Sequence, residues 1–317
     1  MVGRVVDYTG EGLVFEHPGG RRENVPAERV LAVETTRVGT HNDADAAFDQ
    51  RRFDAALALY ERAVNEERRI WVRRDILAQM VRCYRATGRI DLAANSFLAL
   101  LQSDPATRHF DAIPLGWVAE QPSPALEQTA RSLLAREEPA AGLIGASYLL
   151  STSGRNEALA RLRQLAANTD RRIALLATAQ SWRAGVATAD VGQVESWQQT
   201  IGEMPEPLTA GPYFVLGQAR LRLGQSEQAA LALMRAPVLY PGDRRLAAAA
   251  LLSAGRALEQ LGRRQKAARL YREVIQSYPE QDQAVAGARH LLEKAFEARP
   301  AKRKLPAEQI EDLRTGR

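Results

Sequence analysis

The residues able to do covalent or metal chemistry are few in this chain and lie far apart. Its four histidines, His17, His41, His109 and His290, have no Cys, His or carboxylate at ligand spacing on a shared helix face, so no metal site is expected. The one cysteine, Cys83, stands beside Val81 and Tyr84 in an amphipathic stretch; the expectation is a buried, inert thiol with no disulfide partner in the chain. Gly142 and Gly145 lack the preceding strand and following lysine of a phosphate loop, and Ser151-Thr152-Ser153-Gly154 reads as a helix end and turn. Carboxylates are plentiful, but none stands in a pocket-forming pattern. No cofactor is expected, and the chain does not read as an enzyme.

What the chain has in quantity is guanidinium. Arginine outnumbers lysine by 39 to 4, a skew that genome composition explains as well as function does. The net charge of +5 is uneven: residues 299–317 hold six Lys/Arg against three Asp/Glu, which leaves the rest of the chain close to balanced. Nucleic-acid binding needs such charges gathered on one face with aromatic platforms between them. The densest patch, Glu66 to Asp75, has only Trp71, and reads as a solvated linker with ion pairs around a core indole. Trp117, Trp182 and Trp197 read as packing residues of helical stretches. Nucleic acid is therefore not an expected partner, apart from an RNA-associated reading that would rest on the basic tail.

The elements that position these residues are helices. Apolar residues make up 45% and charged residues 26%, which suits a folded chain. Aromatics are only 6% against abundant Ala and Leu, which favours closely stacked helices over a sandwich or barrel. No apolar run is long enough to span a bilayer, and the start lacks a signal peptide's apolar stretch. Cytoplasm and periplasm both stay open, the latter through a removed leader.

Residues 1–40 differ from the rest. Val5 to Tyr8, Leu13 to Glu16, Arg21 to Val25 and Val30 to Thr35 read as four short strands, with a tight turn at His17-Pro18-Gly19-Gly20 and one helical turn at Pro26 to Arg29. The pattern resembles small SH3-like or Sm-like barrels with one strand missing. Either the open edge packs on the first helices or the biological chain starts further upstream.

From Asn42 the apolar period becomes 3.6. Leu77, Met80, Val81 and Tyr84 line one helix, Gly88 marks a turn, and Ile90, Ala93, Phe97 and Leu100 line its partner. In the unit opening at Ala210, Tyr213, Leu216, Gly217, Gly224, Ala229, Leu233, Ala236 and Pro241 are followed by Leu251, Ala254, Gly255, Leu258, Gly262, Ala267, Tyr271, Val274 and Pro279 in the next. Gly217 and Gly255, Gly224 and Gly262, and Pro241 and Pro279 are each 38 residues apart. These units resemble the tetratricopeptide repeat, a helix–turn–helix of 34 residues. A degenerate centre adds Ile113 to Glu120 with Ala125 to Arg136, Ala141 to Ala167, and Ile173 to Trp182 with Val191 to Ile201. The fold expected is an all-α superhelical repeat, a tetratricopeptide-like α-solenoid of about six helix pairs plus a terminal helix over residues 41–298. A small β-rich segment precedes it, and a basic flexible tail follows over 299–317.

That resemblance implies a protein–protein interaction scaffold whose concave groove is lined by first helices. Carried onto this chain, the inward positions are Asp75, Ala78, Arg82 and Arg85; then Phe214, Gln218, Leu221 and Arg222; then Leu252, Arg256 and Glu259. The partner implied is a protein or peptide with acidic residues or a free C-terminus, its apolar anchor near Phe214 or Leu252. An alternative comes from Tyr271-Arg272-Glu273-Val274-Ile275 and Ser277-Tyr278-Pro279, which resemble bacterial cell-envelope tetratricopeptide proteins of assembly and trafficking.

Overall fold

The computed structural model describes residues 2–297. Strands β1 (Arg4–Tyr8), β2 (Gly12–Glu16) and β3 (Arg22–Pro26) form an antiparallel sheet in that order. Leu13 pairs with Val25 and Phe15 with Glu23, so alternation along β2 sends Leu13 and Phe15 to one face, where they bury with Val25. A single 3-10 turn follows at Ala27–Arg29. The expected fourth strand is not formed. Residues 30–38 carry no strand pairing; Val30 and Val33 turn onto the small apolar core, while Leu31 is 100% exposed. The sheet is thus open rather than a closed barrel. It docks through Arg74, whose Nη1 donates to Asp7 Oδ1 at 2.9 Å, through Gly10 N–H to Asp104 Oδ2 at 3.0 Å, and through Arg108 lying 4.4 Å over the Tyr8 ring.

Among the described residues fourteen α-helices follow. Four pairs share one turn geometry: α1 (Gly39–Asp49) with α2 (Phe53–Glu66), α3 (Ile70–Ala86) with α4 (Ile90–Ser103), α10 (Ala210–Arg222) with α11 (Ser226–Leu239), and α12 (Arg244–Gln260) with α13 (Arg264–Ser277). Each first helix ends in a residue at positive φ: Arg51 at 60°, Gly88 at 73°, Gly224 at 75° and Gly262 at 71°. The next residue's N–H then reaches back five positions, from Arg52 to Ala47 O, Arg89 to Tyr84 O, Gln225 to Arg220 O and Arg263 to Leu258 O. This is the Schellman closure, which satisfies carbonyls that a helix end leaves unpaired. The pairs also use small-against-large packing. A Cβ on Gly255 would sit 2.2 Å from the ring of Tyr271, which is 0% exposed.

The centre is built differently. Helices α5 (Pro124–Leu134) and α6 (Pro139–Leu149) each open on a proline, whose missing N–H costs nothing in a first turn. Helix α7 (Arg155–Leu165) follows α6, and α8 (Arg171–Gly185) leads to α9 (Val191–Gly202). A capping box of Asp190 and Gln193 starts α9, and the Trp182 and Trp197 rings stack with centroids 5.2 Å apart. Neither the α6–α7 turn nor the α8–α9 turn contains a positive-φ residue, so the glycine markers of the outer repeats are missing there. Finally α14 (Asp282–Glu297) covers α12 and α13. The tail expected over 299–317 lies outside the described residues.

Ile113 to Glu120 is not a helix. Pro114 lacks an amide donor and Gly116 is a poor helix former, and the segment runs without helical pairing between α4 and α5. Ile113, Leu115 and Trp117 are nevertheless buried and Val118 half-buried, because the segment lies inside the curve of the array. Trp117 belongs to this segment and to no helix, whereas Trp182 and Trp197 are helical as expected.

Candidate partner-binding cavity

The segment 113–120 acts as a strap across the first helices of the central repeats. Its fixed point is the backbone of Gly116. The Gly116 N–H donates to Ser147 Oγ on α6 at 2.9 Å, while its carbonyl accepts from Gln180 Nε2 at 3.1 Å and from Arg183 Nη1 at 2.7 Å, both on α8. Arg183 also donates to the Ser147 carbonyl at 2.6 Å and to the Val118 carbonyl at 3.3 Å. One residue along, the Trp117 indole lies flat on α10, where Gly211 has no side chain to oppose it. The indole is 8% exposed. Ser147, Gln180, Arg183 and Gly211 thus hold the strap, and none of them stood among the site residues expected from the sequence. A signal was available: an apolar stretch broken by Pro114 and Gly116 in a long connection, a combination that neither a helix nor a surface loop accounts for.

Alongside the strap runs a cavity of about 900 Å³. Its walls come from both ends of the array as well as the middle, for they include Arg85 of α3, Tyr148 of α6 and Arg245 of α12. Two ion pairs bridge it. Arg85 Nη2 meets Asp243 Oδ2 at 2.5 Å across 158 residues of sequence, and Arg245 pairs with Glu120 of the strap. Two more lie on its wall, Arg82 with Asp111 at 3.0 Å and Arg244 with Glu280 at 2.5 Å. Among the described residues Arg183 has no carboxylate partner; burial lowers its pKa to about 10, and carbonyl dipoles stand in for a counter-ion. Burial likewise pushes the Tyr148 hydroxyl up to about 12.

The expected groove residues do not all converge. Arg82 and Arg85 line this cavity. Gln218, Leu221 and Arg222 line a second, of about 530 Å³, where Gln218 donates to Ser253 Oγ at 2.7 Å and Arg222 to the Val186 and Ala189 carbonyls. Phe214 is 5% exposed, and Leu252 lies against Gly287 of α14. Arg256 is exposed and Glu259 half-buried, and neither lines either cavity. Ala78 is buried, while Asp75 accepts from His109 Nε2 at 2.9 Å and pairs with Arg108. The Glu66 to Asp75 patch is thereby an internal tie: Arg74 holds the sheet, and Glu67, lowered to about 2 by hydrogen bonds from Arg69, holds the entry to α3.

Among the described residues no cluster of three His, Cys, Asp or Glu could hold a metal ion. No helix there is long and apolar enough to cross a membrane. Cys83 is fully buried, and its thiol is pushed up to about 12 by desolvation. A family model for the tetratricopeptide repeat matches residues 249–280, most of α12 and all of α13. No curated protein matches the chain. The array therefore includes a tetratricopeptide-like repeat region.

Proposed function

We propose that this chain is a protein-interaction scaffold, and that its partner enters the central cavity beside the strap. The observation that carries the reading is the cavity of about 900 Å³, walled by arginines from helices far apart in sequence, in an array that also includes a tetratricopeptide-like repeat. A void of that size is typical of ligand sites. Arg82 and Arg85 face it with planar, multiply donating groups, paired with Asp111 and Asp243, and an acidic side chain or chain end of the partner would share or replace those carboxylates. Arg222 and Arg256 stand apart from it, so the acidic partner is assigned to the α3 wall alone. Envelope assembly and RNA association gain no support from the cavity or from the repeat match.

The test is affinity capture with the full chain, repeated with Arg82→Ala and Arg85→Ala together. A retained protein whose binding falls at least tenfold upholds the cavity as the site. Retention of nothing beyond what a helical control protein retains sinks the scaffold reading, and undiminished binding moves the site elsewhere.

A further inference from the structure

The concave face is already occupied by the chain itself. Gly116 is recognised through its amide and carbonyl, groups that any extended peptide supplies, and Val118 through its carbonyl. The only side chain the strap commits to the α10 surface at a glycine-floored contact is the Trp117 indole over Gly211. This is how a groove binds an extended ligand: main-chain contacts for register, and a pocket for one anchor.

Other features set the strap apart from the helices it lies on. Its own backbone hydrogen bonds are short-range, Ile113 N–H to Phe110 O of the preceding 3-10 turn, Leu115 N–H to Ile113 O and Glu120 N–H to Val118 O, and among the described residues none joins it to an α-helix backbone. The cavity borders it at Ile113, from Leu115 to Val118 and again at Glu120, giving it room to move into. Its far end is tied by Glu120 to Arg245, whose side chain is 44% exposed, and exposed pairs hold weakly. Segments with few backbone hydrogen bonds and a neighbouring void open at lower free energy than packed helices.

We infer that the strap Ile113–Glu120 is an exchangeable internal ligand of the concave face, replaced in the working complex by an extended partner segment that carries an aromatic side chain for the Gly211 contact. The proposal rests on the scaffold reading above and names the chemistry of its partner. The acidic group assigned to the α3 wall then belongs to the same partner, since Arg85 and the strap border one cavity. Exchange breaks no covalent bond. The partner must outcompete a ligand held at high effective concentration by its own tether, which makes the groove selective and keeps it closed to weak binders.

The test uses the strap's own sequence, residues 113–120, as an acetylated and amidated fluorescent peptide. Full-length Trp117→Ala, which vacates the contact, should bind this peptide at least about 100-fold more tightly than the wild-type chain does, because its strap keeps the tether but has lost the anchor and competes less well. The same peptide with alanine at the tryptophan position should not bind. Equal binding to both chains, or none to a folded Trp117→Ala variant, overturns the proposal. If that variant lacks the wild-type helical circular dichroism, hydrogen exchange on the wild-type chain decides. Gly116 and Val118 amides exchanging well before those of α6 and α8 uphold exchangeability, and exchange only together with those helices overturns it. A captured partner that leaves strap exchange unchanged would preserve the scaffold reading while removing this one.

Discussion

Gly211→Ala separates the strap's packing from helix propensity, because the two predict opposite signs. Gly211 is the second residue of α10, and alanine there should by propensity alone stabilise the helix by up to about 1 kcal/mol. The new Cβ, however, would lie 2.0 Å from two atoms of the Trp117 ring, where carbon contacts want about 3.5–4.0 Å. The indole would have to retreat by roughly 1.5 Å or more. It cannot do so alone, since Gly116 next to it is held by Ser147, Gln180 and Arg183 at 2.7–3.1 Å. Overpacking costs about 1–3 kcal/mol, and each hydrogen bond stretched beyond reach about 1 more. Set against the propensity gain, the net is a destabilisation of about 1–3 kcal/mol, a fall in melting temperature of a few degrees for a chain this long. Gly202→Ala in α9 is the control, because nothing lies within 4 Å of its Cβ position; it should melt at or above the wild type. In a Trp117→Ala background Gly211→Ala should turn neutral or stabilising. Thermal melts followed by far-ultraviolet circular dichroism measure all four. A Gly211→Ala chain as stable as Gly202→Ala would mean that Trp117 is not seated on α10.

A double-mutant cycle on Arg85→Ala and Asp243→Ala should return a coupling of about 1 kcal/mol, since the pair is only half-buried, and the coupling should shrink in high salt. Small-angle scattering of either single variant should show a larger radius of gyration, because the pair joins distant parts of the array. Cys83 should not react with a disulfide reagent at pH 8 in the native chain and should give one equivalent in denaturant, as its buried thiol titrates at about 12. His41 is 1% exposed with Nδ1 unpartnered, and burial lowers its pKa although Asp45, Asp75 and Glu67 oppose the shift and Arg37 adds to it. The unfolded chain therefore takes up this proton at the higher pH, so stability is lost as pH falls below about 6.5. His41→Phe should flatten the difference between denaturation midpoints at pH 7 and pH 5; an unchanged difference would assign the effect to other groups.

Much of the repeat architecture was legible because it is local. A Schellman turn needs one residue at positive φ, and Gly88, Gly224 and Gly262 announce it within a window of a few residues. Arg51 performs the same turn at φ 60° with no such announcement. Gly255 facing Tyr271 likewise follows from the spacing of a small and a large residue on adjacent helices. The centre was harder to read because its turns close by other means, the capping box of α9 among them. The site was barely legible. Arginine positions on first helices could be counted, but Arg222 turns to backbone carbonyls and Leu252 lies under α14, which no helical period reveals.

The apolar run Ile113 to Val118 shows where local reading stops. Taken alone it suits a buried helix or an extended segment, and only the concave wall offered by α6, α8 and α10 selects between them. By itself the sequence determined the outer helix pairs and most of their turns, since those depend on interactions spanning a few tens of residues at most. Tertiary structure decided that the array curves until α3 meets the start of α12 and that its inner face is filled by its own strap. Those outcomes rest on contacts such as Arg85 with Asp243, 158 residues apart, and a distance of that kind leaves no periodic trace in the chain.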